Sequence, residues 1–256
     1  MNRRSWMAIA IASVSILDSG LANAVTPYEW HTLAAAPGKL EVVHMRLRDR
    51  VLPALGGRDL RMLAVFTPLG NNPEHLVHVV LEGQPVGSDS ADADLLAGVA
   101  EWQSLFTDAD GTPAVASPLS LQRLRTTAWS PLPAAGAAAA ARVFERRTYT
   151  SPDAAKRTAL LGRFEHHTLK LFQKHGMTNV IYWTPDGGPD ADTTLVYLLA
   201  HASPAAAKES FDAFRQDPEW TAAKTASEAA AGGSLTIKEK GVLSEFLVPA
   251  DYSPLH

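Results

Sequence analysis

Phe144-Glu145-Arg146-Arg147-Thr148, just past the middle of the chain, restates the pattern of Tyr28-Glu29-Trp30-His31-Thr32 near its start: aromatic, Glu, any residue, basic, Thr. Two further echoes follow in the same order. Phe66-Thr67-Pro68-Leu69-Gly70 matches Trp183-Thr184-Pro185-Asp186-Gly187, and Trp129-Ser130-Pro131-Leu132 matches Tyr252-Ser253-Pro254-Leu255. Three echoes in one order argue for two copies of one plan. Between the copies, Pro133-Ala134-Ala135-Gly136 and the run Ala137 to Ala141 read as a low-complexity linker, the alanine run fitting a short helix equally well.

Each copy reads strand, helix, strand, strand, helix, strand. In the second, Val143 to Tyr149 alternates like a strand, and Ser151-Pro152-Asp153 supplies helix-start chemistry. Leu161, Phe164, Thr168, Leu171 and His175 then recur at helical spacing up to Gly176, a C-cap residue. Thr178 to Thr184 and Thr194 to His201 form a hairpin around a Pro/Gly/Asp loop. Ser203-Pro204 opens a helix with Ala207, Phe211 and Phe214 on one face, Asp217-Pro218-Glu219-Trp220 restarts it, and Leu243 to Val248 is the last strand. The first copy gives Tyr28 to Leu33, a helix from Lys39 to Leu55, strands Leu60 to Thr67 and Leu76 to Leu81, a helix around Leu95 to Phe106, and strand Leu119 to Thr127. This order packs both helices on one face of a four-stranded antiparallel sheet, and the two bare sheet faces are expected to meet in a barrel-like enclosure.

Composition fits a globular chain. Of 256 residues, 46% are hydrophobic and 20% charged, enough for a packed core; the net charge of −4 gives no broad cationic surface for nucleic acid. With no cysteine, disulfides and thiolate chemistry are excluded. Arg3 and Arg4, the uncharged run Trp6 to Leu17 and the ending Leu21-Ala22-Asn23-Ala24 have the layout of a secretory signal, too short for a membrane span. The expectation is export, to a periplasm, with cleavage after Ala24 and a twin-arginine route as the minority option. The chain thus divides into a signal at 1–24, a first domain at 25–132, a linker at 133–142 and a second domain at 143–256.

Several segments of the second copy, in this order and spacing, resemble the NIPSNAP family: Glu145 to Tyr149, Leu171 to Met177, Tyr182 to Pro185, Leu198 to His201, Asp217 to Trp220 and Asp251 to Pro254. The first copy is similar more faintly: it has His31 where the second has Arg147, and lacks both the His-Gly-Met and Asp-Pro-Glu-Trp elements. The resemblance implies an α+β fold of two tandem ferredoxin-like (βαββαβ) domains whose sheets pair as a dimeric α+β barrel. Eukaryotic members are linked to mitochondria and protein sorting, and bacterial members mostly lack an assigned activity. Other families on this barrel are cofactor-independent monooxygenases, small isomerases and haem-degrading enzymes, which is analogy by fold.

No catalytic motif of a serine hydrolase, zincin, phosphate-loop or dinucleotide enzyme is present. His166 is expected to face water and His167 to flank the apolar stripe, with His175 near the helix end, a packing and capping set rather than a metal site. Asp186, Asp190 and Asp192, and Asp108 and Asp110, read as solvated turns because no calcium loop is complete. Strand alternation puts Glu145, Arg147 and Tyr149 on one face, and Leu195, Tyr197, Leu199 and His201 on one face. If both sets look away from the helices, the enclosure holds Arg147, Tyr149, Tyr197 and His201, with Asn179 and Trp183 or Tyr182 at its rim. His201 is then the candidate acid or base and Arg147 the anchor for a carboxylate, phenolate or enolate. The competing reading makes Glu145 and Arg147 a buried structural pair. His31 and His78 are expected at the corresponding places of the first copy.

The expected function is an exported protein binding a small molecule in a barrel pocket, with no metal or cofactor, as a monomer with an internal pseudo-dimer or a homodimer. The alternatives are a cofactor-independent monooxygenase or isomerase, an interaction module, and, least favoured, a haem-binding protein.

Overall fold

The computed structural model describes residues 25–55, 60–84, 104–116, 120–133 and 142–256. The expected signal lies outside the described residues, as do most of the linker and most of the helix around Leu95 to Phe106, of which residues 104–105 are helical. Eight strands close into one antiparallel barrel: β1 (Pro27–Ala34), β2 (Leu60–Pro68), β3 (Leu76–Gly83), β4 (Ser120–Thr126), β5 (Val143–Thr150), β6 (Thr178–Pro185), β7 (Thr194–His201) and β8 (Val242–Pro249). Around the barrel they run β1-β3-β2-β8-β5-β7-β6-β4. The N-terminal half is therefore ordered β4-β1-β3-β2 and the C-terminal half β8-β5-β7-β6, the same order twice.

The halves join at two short seams, Phe66–Pro68 with Leu247–Pro249 and Leu124–Thr126 with Trp183–Pro185. Closure joins the edge strands of the two four-stranded sheets, over three residue pairs at each seam. A register shift falls at the same place in both halves, between Met62 and Ala64 on β2 and between Asn179 and Ile181 on β6.

Helices cover the outside. In the N-terminal half α1 (Leu40–Arg46), a π-helical turn (Leu47–Val51) and α2 (Leu52–Leu55) make one rod; in the C-terminal half α3 (Ala154–Arg163), a π-helical turn (Phe164–Thr168) and α4 (Leu169–Lys174) repeat it. Each π turn inserts a residue and rotates the remainder of its rod about the helix axis. That is why His167, expected beside the apolar stripe, is exposed like His166. Asp153 caps α3 by accepting from the Lys156 amide at 2.8 Å, and Gly176, at φ +79°, ends α4. Ser203 caps α5 (Pro204–Gln216) and Asp217 caps α6 (Pro218–Ala230).

Three apolar clusters result from this layering. Tyr28, Trp30, Phe66, Phe144, Trp183 and Leu198 fill the barrel interior; Leu33, Leu47, Val65 and Val79 lie under the N-terminal helices; Phe164, Phe172, Tyr197 and Phe211 lie under the C-terminal ones. Burying each such side chain contributes roughly 1.5–3 kcal/mol.

The closing echo has a reciprocal task. Ser130, which ends the N-terminal half, accepts a hydrogen bond from the Tyr182 amide on β6 at 2.9 Å; Ser253, which ends the C-terminal half, accepts one from the Val65 amide on β2 at 3.0 Å. Trp129 packs 5.2 Å from the Tyr182 ring, and Tyr252 packs against the cluster under α1. Each half ends as an arm laid over the other.

Candidate functional site

β5 divides its side chains by period two, and the structure reverses the expected assignment of faces. Phe144, beside Phe66 at 5.0 Å, and Arg146, over Trp30 at 4.3 Å, point into the barrel. Glu145, Arg147 and Tyr149 point outward, under the helices. Tyr197 and His201 on β7 share that outer layer. Arg147, Tyr149, Tyr197 and His201 do assemble, but between sheet and helices rather than in the enclosure. The reason is packing: Phe144 fits the aromatic barrel core, which the Glu145-Arg147-Tyr149 face would have filled with charge.

Arg147 Nε donates to the Tyr197 hydroxyl at 3.0 Å, Nη1 pairs with Glu145, Nη2 reaches the Tyr149 hydroxyl at 3.5 Å, and the guanidinium lies 4.4 Å over the Phe211 ring. Glu145 in turn meets His201 Nε2 at 3.0 Å and accepts from the Ser244 hydroxyl. Burial alone would raise the Glu145 pKa; the His201 hydrogen bond, the Arg147 charge and the Ser244 hydroxyl outweigh it and hold the carboxyl below its ordinary range. Burial would likewise lower the pKa of Arg147, but the Tyr197 and Tyr149 hydroxyls and Glu145 raise it, so the cation is held firmly. Burial pushes the phenols of Tyr182 and Tyr197 up, keeping them neutral hydrogen-bonding groups.

Beside this network lies a cavity of 340 Å³ under α3, α5 and α6. Arg147 and Tyr149 form its floor; Phe164, Phe172, Phe211, Phe214 and Trp220 form its apolar walls. Arg163, Arg215, Lys224 and Glu228 line it too. Arg163 is 6% exposed, lies 5.0 Å from the Trp220 ring and reaches Glu228 only at 3.6 Å. Burial pulls its pKa down, with Glu228 opposing. The cavity therefore combines aromatic surface with cationic side chains, of which Arg147 is paired with Glu145 and Arg215 with Asp212.

The other sequence candidates have structural places. Tyr197 and His201 are buried and do not line the cavity. Asn179 accepts from the Tyr182 hydroxyl and donates to the Leu169 carbonyl at 2.9 Å. Trp183 sits inside the barrel, 5.5 Å from Tyr28 and 6.2 Å from Trp30. His175 meets Asp217 at 2.7 Å. Among the described residues no cluster of three or more His, Cys, Asp or Glu could hold a metal, and no helix is long and apolar enough to cross a membrane. The sequence reading missed Arg163, Arg215, Lys224 and the role of Trp220 as a cavity wall. Its signals were present in the Phe211/Phe214 helix face and the Asp-Pro-Glu-Trp element, which stand over the outer face of β5 rather than the inner one.

In the N-terminal half, His31 takes the register position of Arg147: His31 pairs with Val79 and Arg147 with Tyr197. It meets Glu29 at 2.9 Å. His78 corresponds to Val196, not to His201, and faces the barrel interior.

Residues 144–254 match the family model for NIPSNAP. The C-terminal half is a NIPSNAP domain. A solved NIPSNAP family protein of unknown function from Agrobacterium tumefaciens is 21% identical over 45% of this chain and 95% of its own, with a TM-score of 0.37. Beyond the NIPSNAP domain, whole-chain likeness is in fold. A candidate monooxygenase from Fusobacterium nucleatum is 8% identical, with 88% of this chain and 93% of that one aligned at a TM-score of 0.53. An anthrone oxidase-like protein is 11% identical, covering 91% and 94% at a TM-score of 0.52. No curated protein matches the chain.

Proposed function

We propose that this protein is exported and that its NIPSNAP domain holds a small anionic molecule with an aromatic or other flat apolar body. The observation that carries the reading is the 340 Å³ cavity, where five aromatic walls meet Arg147, paired with Glu145, Arg215, paired with Asp212, and Arg163 and Lys224 beside Glu228. The rings supply apolar contact and the guanidinium groups supply charge for a carboxylate or phenolate. Export rests on the leader-like sequence at 1–24. Native mass spectrometry of mature protein purified from its own compartment is the test. A non-covalent adduct that is lost on denaturation and absent from Arg163→Gln supports the reading; an adduct retained by that variant places the ligand elsewhere, and a bare polypeptide mass in every preparation counts against a tightly held ligand.

The second reading is a cofactor-independent monooxygenase or isomerase. It is favoured by Arg147, which would stabilise an enolate or phenolate beside Tyr149, and by fold likeness to proteins named as a monooxygenase and as anthrone oxidase-like. It needs a base that reaches substrate. His201 is engaged by Glu145 away from the cavity, and this weighs for binding over turnover.

A further inference from the structure

Inside the barrel, on the opposite face of β5 from Arg147, a second polar group spans the two halves. Arg146 stacks over Trp30, and its Nη2 donates to Gln122 Oε1 at 2.6 Å. The Thr32 hydroxyl stands 3.0 Å from His78 Nδ1, and Trp30 Nε1, which can only donate, gives its hydrogen to the same nitrogen at 3.2 Å. That bond makes Nδ1 an acceptor and leaves the ring proton on Nε2. Nε2 is 3.4 Å from Glu245, longer than a good hydrogen bond, and both it and Arg146 Nε are buried donors without a hydrogen-bond acceptor.

The imbalance has a direction. Arg146 is a desolvated cation whose hydrogen-bonded partner is a neutral amide oxygen, and burial lowers its pKa. Glu245, its register neighbour on β8, is the adjacent anion, yet its side chain is 35% exposed where that of His78 is 3% exposed. His78 and, against burial, Arg146 hold the Glu245 carboxyl below its ordinary range, yet it is the partner that can turn to solvent, and the two N–H groups cannot follow it. We infer that this end of the barrel is a site for a carboxylate, bound by Arg146 Nε–H and His78 Nε2–H, with Glu245 as the internal competitor that such a ligand displaces. It is composite: Trp30, His78 and Gln122 come from one half, Arg146 and Glu245 from the other.

Acetate is the probe, followed through the Trp30 indole N–H and Arg146 Nε–H resonances of the full mature chain. Wild-type protein is expected to show a saturable shift at both. Glu245→Gln, which removes the competing charge, should tighten acetate about tenfold, and Arg146→Lys, which keeps the charge but removes Nε, should weaken it about tenfold. Shifts that rise linearly without saturation, a Glu245→Gln affinity equal to wild type, or an Arg146→Lys affinity equal to wild type would each overturn the inference. So would a shift confined to the Trp220 indole, which would put the anion in the outer cavity. Unchanged resonances of the C-terminal helical layer report that each variant is folded.

Discussion

The two halves share a backbone plan and differ in what they keep under their helices. Strand order, the shifted register on the second strand, the π turn and the closing arm recur, and a buried arginine, Arg46 or Arg163, directly precedes each π turn. The register then pairs Arg147 with His31, Tyr149 with Leu33, Tyr197 with Val79, Tyr182 with Val65 and Asn179 with Met62. Three tyrosines, an arginine and an asparagine in the C-terminal half stand where the N-terminal half has aliphatic residues, a histidine and a methionine. Leu33, Val65 and Val79 belong to one apolar cluster. The tyrosine hydroxyls instead need partners, and Arg147 and Asn179 supply them. One scaffold thus supports an apolar layer or a polar network beside a cavity, and the choice lies in a few outward positions.

The largest expected effect comes from breaking the network. Arg147→Ala leaves Glu145 buried without its cation, which should cost about 3–5 kcal/mol in urea unfolding. His31→Ala, at the matching N-terminal position, should cost less, because a guanidinium charge is not what is removed. Equal losses would show that the two positions do the same structural job.

Next comes the pair of arms. Ser130→Ala and Ser253→Ala each strip a buried amide of its acceptor, at about 1–3 kcal/mol, and the double variant should be additive within about 0.5 kcal/mol because they share no partner. Unequal single effects would show that one arm does more to hold the barrel closed. Tyr149→Leu, which installs the N-terminal residue in the C-terminal half, should change stability by under about 1.5 kcal/mol while weakening any ligand of the cavity. Unchanged adduct formation in native mass spectra would argue against Tyr149 as part of the floor.

The smallest effect is acid dependence. Asp217 caps α6 and is held below the ordinary carboxylate range by Lys174 and then His175. Its folded pKa lies under its unfolded one, so its contribution is complete above the unfolded value and is lost as pH falls through the folded one. Asp217→Asn should flatten the pH dependence of unfolding in that acid window, and an unaltered profile would assign the acid response to Glu145 instead.

Much of this was legible in the sequence. The helix starts at Asp153 and Ser203, the stop at Gly176 and the hairpin of β6 and β7 depend on neighbours a few residues away, where local chemistry decides. The π turns were not legible, since Leu47–Val51 and Phe164–Thr168 carry ordinary helical composition. Nor was the exchange of arms: Ser130 and Ser253 stood out as an echo, but their acceptor role depends on amides in the opposite half.

Chain geometry alone determined which side chains travel together, because successive residues of a strand must point to opposite faces; Glu145, Arg147 and Tyr149 were bound to share one. It could not determine whether that face looks inward or outward. Each face of β5 carries an arginine and an aromatic ring, so the local pattern is nearly balanced. The tertiary structure decided it, because Phe144 and Arg146 find Phe66 and Trp30 across a closed barrel while Arg147 and Tyr149 find Phe211 and Phe164 beneath the helices.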